Sequence, residues 1–190
     1  MDKKFDPENF DKLKNPERLK WENPDVIWEK MELKKPEVFV DVGCGIGFSA
    51  IPFAKKMPVG IVFACDVNEV MLDMLKNELE RTTVKNIKPV LMEEVKIPLA
   101  GGTADAALMQ NLYHEFNHAA DNLDECKRIL KSGGTIAVID WKPVETPFGP
   151  PLEIRIEAEK IQGDMEKAGF EVLRNLDIFP YHTFVLARKP

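Results

Sequence analysis

Val38-Phe39-Val40-Asp41-Val42-Gly43-Cys44-Gly45-Ile46-Gly47-Phe48-Ser49-Ala50 is the stretch whose reading decides the fold. Its first five residues form a short β-branched run with little polar alternation, the pattern of a central parallel strand covered on both faces. The glycines at 43, 45 and 47 follow at once, so the strand ends in a turn where the backbone can bend tightly and approach a ligand. From 48 to 57 the pattern suits a helix, provided Pro52 sits in its first turn. The free N–H groups at the start of such a helix favour a carboxylate or phosphate.

Outward from this unit, strand and helix alternate. Residues 61–65 read as a second buried strand, and 68–81 as a helix with Val70, Met71, Met74, Leu75 and Leu79 on one stripe. Residues 88–92 and 105–109 are further strands. A helix over 118–131, with Leu123, Cys126 and Leu130 on one face and Gly133 beyond its end, leads to a fifth strand at 135–140. A proline-rich loop, WKPVETPFGPP at 141–151, precedes a helix carrying Ala158, Ile161, Met165 and Ala168 and closing at Gly169. Residues 170–173 and 183–187 read as the last two strands.

Short connections between alternating elements demand a mostly parallel sheet. Only a hairpin-like connection spans Leu173 to Thr183, so the final strand should enter antiparallel. The expected fold is α/β: a doubly wound, Rossmann-like sheet of about seven strands, mostly parallel with an antiparallel last strand, and helices on both faces. Ahead of it, Asn15 and Asn23 are each followed by proline and read as helix N-caps. Residues 1–35 are therefore expected to form an N-terminal helical extension and 36–190 the main domain. Phe5, Phe10, Trp21 and Trp28 of the extension either cover the ligand as a lid or pack on the sheet edge.

The 190 residues suit one compact domain, and 26 Lys plus Arg scattered among 32 acids leave a net charge of −6. No face is expected to attract a phosphate backbone, which disfavours nucleic acid as a partner. The opening MDKKFDPENF has no apolar signal-peptide core and no run approaches 18 apolar residues, so no membrane is expected and a cytoplasmic location is implied. Cys44, Cys65 and Cys126 are odd in number and lack metal spacing, so they read as reduced, buried residues, and no metal is expected.

Asp66 follows Gly47 by 19 residues, the spacing at which an acid at a strand end can accept both hydroxyls of a ribose. The dinucleotide fingerprint GxGxxG would place glycine at 48, where this chain has Phe48, so GxGxG disfavours NAD. Together with ACDVN at 64–68 and DECKRILKSGGTIAVIDW at 124–141, the loop resembles class I S-adenosylmethionine-dependent methyltransferases. The nearest flavour is the quinone-biosynthesis-like group of small-molecule methyltransferases, over about 36–134 and less distinctly to the end. Ser132 departs from the proline usual before Gly133.

The resemblance implies S-adenosylmethionine as cofactor, S-adenosylhomocysteine as product and a small-molecule acceptor. It implies that Asp41, Gly43, Cys44 through its backbone, Gly45 and Gly47 hold the methionine part. Asp66 would take the ribose hydroxyls with Val67 and Asn68 just past it. Glu93, or its neighbour Glu94, would lie near the adenine amino group, and Asn111 and Leu112 near the sulfonium. Methyl transfer needs alignment and exclusion of water more than catalytic side chains. Where a base helps, His114 is the first candidate and Tyr113 the second, the alternative being a histidine that only orients its loop. Arg155 is expected to meet an acidic acceptor and Tyr181 to approach the same pocket, while His118 and His182 are expected to be structural. Two other readings stay open: a nonenzymatic adenosyl-cofactor-binding module and an NAD-dependent oxidoreductase. Oligomeric state is not legible.

Overall fold

A computed structural model describes residues 13–190. Phe5 and Phe10 lie outside the described residues. The elements run α1 (Arg18–Trp21), α2 (Pro24–Met31), β1 (Val38–Val42), α3 (Ala50–Lys56), β2 (Ile61–Asp66), α4 (Glu69–Glu80), β3 (Ile87–Leu91) and β4 (Ala104–Gln110), then α5 (Ala119–Ile129), β5 (Leu130–Trp141), α6 (Ala158–Lys167), β6 (Glu171–Leu176) and β7 (His182–Arg188). The seven strands lie in the order β3-β2-β1-β4-β5-β7-β6. The first five are mutually parallel. β7 is antiparallel to both β5 and β6, as the short connection after Leu173 requires.

Burial on both faces explains the apolar runs. Along β1 and β4, Phe39, Ala106 and Leu108 join Ile27, Phe53 and Leu75 from α2, α3 and α4 on one side of the sheet. Val40, Ala107 and Met109 join Leu123, Cys126, Ile161 and Met165 from α5 and α6 on the other. Strand order reverses between β1 and β4, and in an open α/β sheet that switch point leaves a crevice at the carboxyl ends of the strands.

Local chemistry sets the helix starts. Asn23 Oδ1 accepts from Asp25 N at 2.9 Å with Pro24 in the first position of α2, and Asn68 Oδ1 accepts from Val70 N at 2.9 Å to open α4. Asn15 Oδ1 accepts from Glu17 N at 3.0 Å, but α1 lasts a single turn. Pro52 sits in the first turn of α3, where its missing N–H costs nothing. β5 starts five residues earlier than the sequence pattern suggests. Leu130 pairs with Ala104 ahead of a register shift that Gly133 and Gly134 accommodate, an irregularity that no periodicity announces.

The N-terminal segment divides between two fates. Trp28 packs at 5.0 Å from Phe53 and 6.4 Å from Phe39 in the core, whereas Trp21 stacks on Phe148 at 5.0 Å and meets Tyr181 edge-on at 5.8 Å above the strand ends. Among the described residues no helix is long and apolar enough to cross a membrane.

Candidate active site

A cavity of about 1120 Å³ opens at the carboxyl ends of β1, β2, β4 and β5, beneath residues 13–22 and the loop after β5. The glycines after β1 divide its construction. Gly47 has φ +87°, and a Cβ there would fall 2.5 Å from Leu75 Cδ1, so this glycine lets the loop pack on α4 rather than meeting the cavity. Gly45 has φ +50° with nothing nearer its Cβ position than Leu13 at 3.8 Å, and it lines the cavity. Gly43 also lines it and packs against the methyls of Leu112. Phe48, the residue that breaks the dinucleotide spacing, carries the Arg18 guanidinium 3.7 Å above its ring.

Two carboxylates bracket this loop. Asp41 is 3% exposed, and burial together with the charge of Asp66 pushes its pKa up to about 7. An Ala50 backbone hydrogen bond and the charge of Arg18 oppose that rise without cancelling it. Asp66 is raised by burial as well, although it accepts from Asn68 N at 2.9 Å and Gly45 N at 2.8 Å. Cys44, Val67, Asn68, Met92 and Glu94 continue the wall; Glu93 instead pairs its backbone with Lys96 outside it. Burial lifts the thiols of Cys44, Cys65 and Cys126 above their ordinary range, so they serve as packing groups.

Across the cavity, Asn111 and Leu112 end β4, with Asn111 in a left-handed conformation at φ +55°. His114, 5% exposed, follows on a short 3-10 turn and lines the wall. Its Nδ1 lies 2.7 Å from Asp140 Oδ1, and its backbone N donates to Asp140 Oδ2 at 3.0 Å. Asp140, wholly buried at the end of β5, also accepts from Trp141 N at 2.7 Å. Burial pulls the His114 pKa down, but the charge and hydrogen bond of Asp140 outweigh it and leave it raised. With Nδ1–H donated to the carboxylate, Nε2 is the basic nitrogen.

Three candidates have other employment. Tyr113 is buried with its hydroxyl donating to Asp164 Oδ2 on α6 at 3.0 Å, away from the cavity, and burial raises its pKa. Arg155 does not line the cavity and is not free to meet an acidic acceptor. Its guanidinium donates to the carbonyls of Pro150 at 2.9 Å, Val144 at 2.6 Å and Phe148 at 3.2 Å and to Thr146 Oγ1 at 2.8 Å, folding the proline-rich loop around itself. Tyr181 buttresses Trp21 from behind. His118 is exposed, with its Nδ1 3.9 Å from Asp121 Oδ2, and His182 is fully buried with its ring 4.2 Å from Trp141; neither lines the cavity. No cluster of metal-ligating side chains exists among the described residues.

Sequence reasoning missed Glu22, Arg18 and Asp140. Asp140 left a trace, a lone acid closing an apolar strand; Glu22 left none, because its partners are far away in the chain.

A doubly wound sheet with an antiparallel β7, a GxGxG turn and an acid ending β2 defines a class I, S-adenosylmethionine-dependent methyltransferase. Residues 40–138 match the family described as methyltransferase domain, and the chain belongs to that family. A crystal structure of an S-adenosylmethionine-dependent methyltransferase from Aquifex aeolicus superposes with a TM-score of 0.92 at 34% identity, covering 97% of this chain and 98% of that one. A tRNA (guanine(37)-N(1))-methyltransferase, Trm5b, from Pyrococcus abyssi is 31% identical over 80% of this chain and 45% of its own length. The ubiquinone/menaquinone biosynthesis C-methyltransferase UbiE of Cupriavidus taiwanensis is 30% identical over 57% of this chain and 46% of its own. The chain spans about half the length of these curated relatives.

Proposed function

We propose that this chain transfers the methyl group of S-adenosylmethionine to a small-molecule acceptor, with the His114–Asp140 pair as its base. The observation that carries the reading is that the glycine turn, Asp41, Asp66 and His114, which Asp140 holds from behind, all line one cavity. The cavity suits that cofactor. Asp41 and Asp66 stand in its wall as two neighbouring, largely buried carboxyls, so a ligand bearing a sulfonium and an ammonium supplies positive charge beside them.

On this reading Asp66 receives the ribose hydroxyls, with Val67 and Asn68 beside it. Asp41, Gly43, Gly45 and the Cys44 backbone hold the methionine end, and Glu94 borders the adenine. Gly47 supports the turn from behind. Bound there, the cofactor supplies an already activated methyl group. The chain's own residues orient the acceptor and dry the site: Trp21, Phe116, Trp141 and Phe148 line it as an apolar wall. As the acceptor gains the methyl group, its proton passes to His114 Nε2, and Asp140 stabilises the imidazolium that results.

A small molecule is favoured by the enclosed aromatic wall and by the net charge of −6. An RNA acceptor is the second reading, suggested by the Trm5b relative. The free, buried cysteines suit a reducing compartment, and we assign the chain to the cytoplasm. Calorimetry with S-adenosylhomocysteine, S-adenosylmethionine and NAD, on the wild type and Asp66→Ala, tests the cofactor assignment. Adenosyl binding that is lost in the variant supports it; NAD binding alone overturns it. Transfer of labelled methyl to bulk tRNA but to no phenol, amine or thiol in a metabolite panel would favour RNA.

A further inference from the structure

Glu22 is 0% exposed, yet it sits in the cavity wall just after α1. Its Oε1 accepts from Arg18 Nε at 2.6 Å, and its Oε2 accepts from both Gln110 Nε2 and Asn111 Nδ2 at 2.7 Å. Gln110 Oε1 in turn accepts from Ser49 Oγ ahead of α3. One carboxylate therefore joins the N-terminal segment, the end of β4 and the entrance of α3. A buried ion of this kind is costly unless every oxygen is engaged, and here both are.

What the carboxylate holds is a left-handed turn. Asn111 adopts φ +55°, a region that asparagine enters more readily than other residues with a Cβ but less readily than glycine, so its tether helps to fix it. Asn111 N donates to Ile139 O at 2.8 Å, and the next residue, Leu112, packs on Gly43. The turn thus abuts the glycine loop on the other side of the cavity. We propose that Glu22 is a positioning residue for methyl transfer: by accepting from Gln110 and Asn111 it fixes the left-handed turn after β4 against which a ligand of the glycine loop is aligned. This rests on the methyltransferase reading above.

The test is S-adenosylhomocysteine affinity by calorimetry, measured beside the thermal midpoint. Glu22→Gln keeps the shape but removes the carboxylate, and its amide N–H₂ must face either the Arg18 guanidinium or the two amide donors. Affinity is expected to fall about tenfold, the effect of one lost charge-assisted hydrogen bond. The exchange Glu22→Gln with Gln110→Glu swaps donor and acceptor between the two positions, keeps an acceptor for the Ser49 hydroxyl and, with the Asn111 amide turned over so that its Oδ1 accepts, should recover most of it. A lower midpoint with affinity within twofold of wild type would make Glu22 a mere latch and overturn the proposal, as would failure of the exchange to recover affinity.

If Glu22→Gln does not fold, Asn111 carries the test. Both Asn111 variants lose the amide, but Asn111→Gly takes the left-handed turn unaided and should bind about tenfold more tightly than Asn111→Ala, which has a Cβ and no tether. Equal affinities in the two would refute a fixed turn. Absence of binding in the wild type would overturn the cofactor reading itself along with this one, an outcome distinct from normal wild-type binding that Glu22→Gln leaves intact.

Discussion

Replacing Asp41 with asparagine should make the ligand-free protein more stable at alkaline pH. The Asp41 carboxyl is buried beside Asp66 and its pKa stands at about 7 rather than the ordinary 3.8. Between those values the folded chain retains a proton that the unfolded chain releases, so stability from this group declines as pH rises from about 4 to 7. The gap of about 3 pH units, at about 1.36 kcal/mol each, amounts to about 4 kcal/mol of penalty at pH 8 and roughly 2 kcal/mol at pH 5. Asparagine never ionises, fills the same volume and keeps a carbonyl for the Ala50 N–H. Chemical denaturation of both proteins at pH 5 and pH 8 should show the variant's advantage growing by about 2–3 kcal/mol over that range. An advantage of equal size at both pH values, or none at pH 8, would refute the reasoning. Binding should move the opposite way: the variant loses the anion that meets the cofactor's positive charge, so a more stable protein should bind S-adenosylmethionine more weakly.

Other outcomes follow from the same geometry. Asp140→Asn should leave S-adenosylhomocysteine affinity unchanged in calorimetry while slowing acceptor-dependent turnover by about 10²–10⁴; unchanged turnover would remove the His114 pair from the mechanism. Because His114 acts as a base and its pKa is raised, wild-type turnover should decline as pH falls through that pKa, and a rate profile flat on the acid side would contradict the role. Arg155→Lys should destabilise almost as much as Arg155→Ala, by about 1.5–3 kcal/mol in thermal denaturation, since an ammonium cannot bridge four loop acceptors. Gly47→Ala should cost about 2–4 kcal/mol through its clash with Leu75, whereas Gly45→Ala, with open space beside it, should cost only the strain of about 1–2 kcal/mol and chiefly weaken cofactor binding.

The alternation of apolar runs with helical stripes was sufficient to specify the sheet, because a strand covered on both faces must be apolar throughout and the loops are too short for other connections. The antiparallel β7 was legible for the same reason, from the few residues after Leu173. That the GxGxG turn and Asp66 share the cavity wall was legible because a strand end and a short spacing are local properties, and local properties are written in order along the chain. Hydrogen-bond partners brought together from separate elements are not. Arg155 looked like a ligand for an acid until the loop was seen folded around its guanidinium, and Tyr113 looked as able as His114 until α6 presented Asp164 to its hydroxyl. The Glu22 carboxylate reaches Gln110 and Asn111 across 88 and 89 positions, and His114 reaches Asp140 across 26. The sequence alone thus determined the architecture and the glycine turn, since both follow from backbone conformation and burial. The tertiary structure decided which polar side chains face the cavity, because that depends on which distant donor or acceptor satisfies each one first.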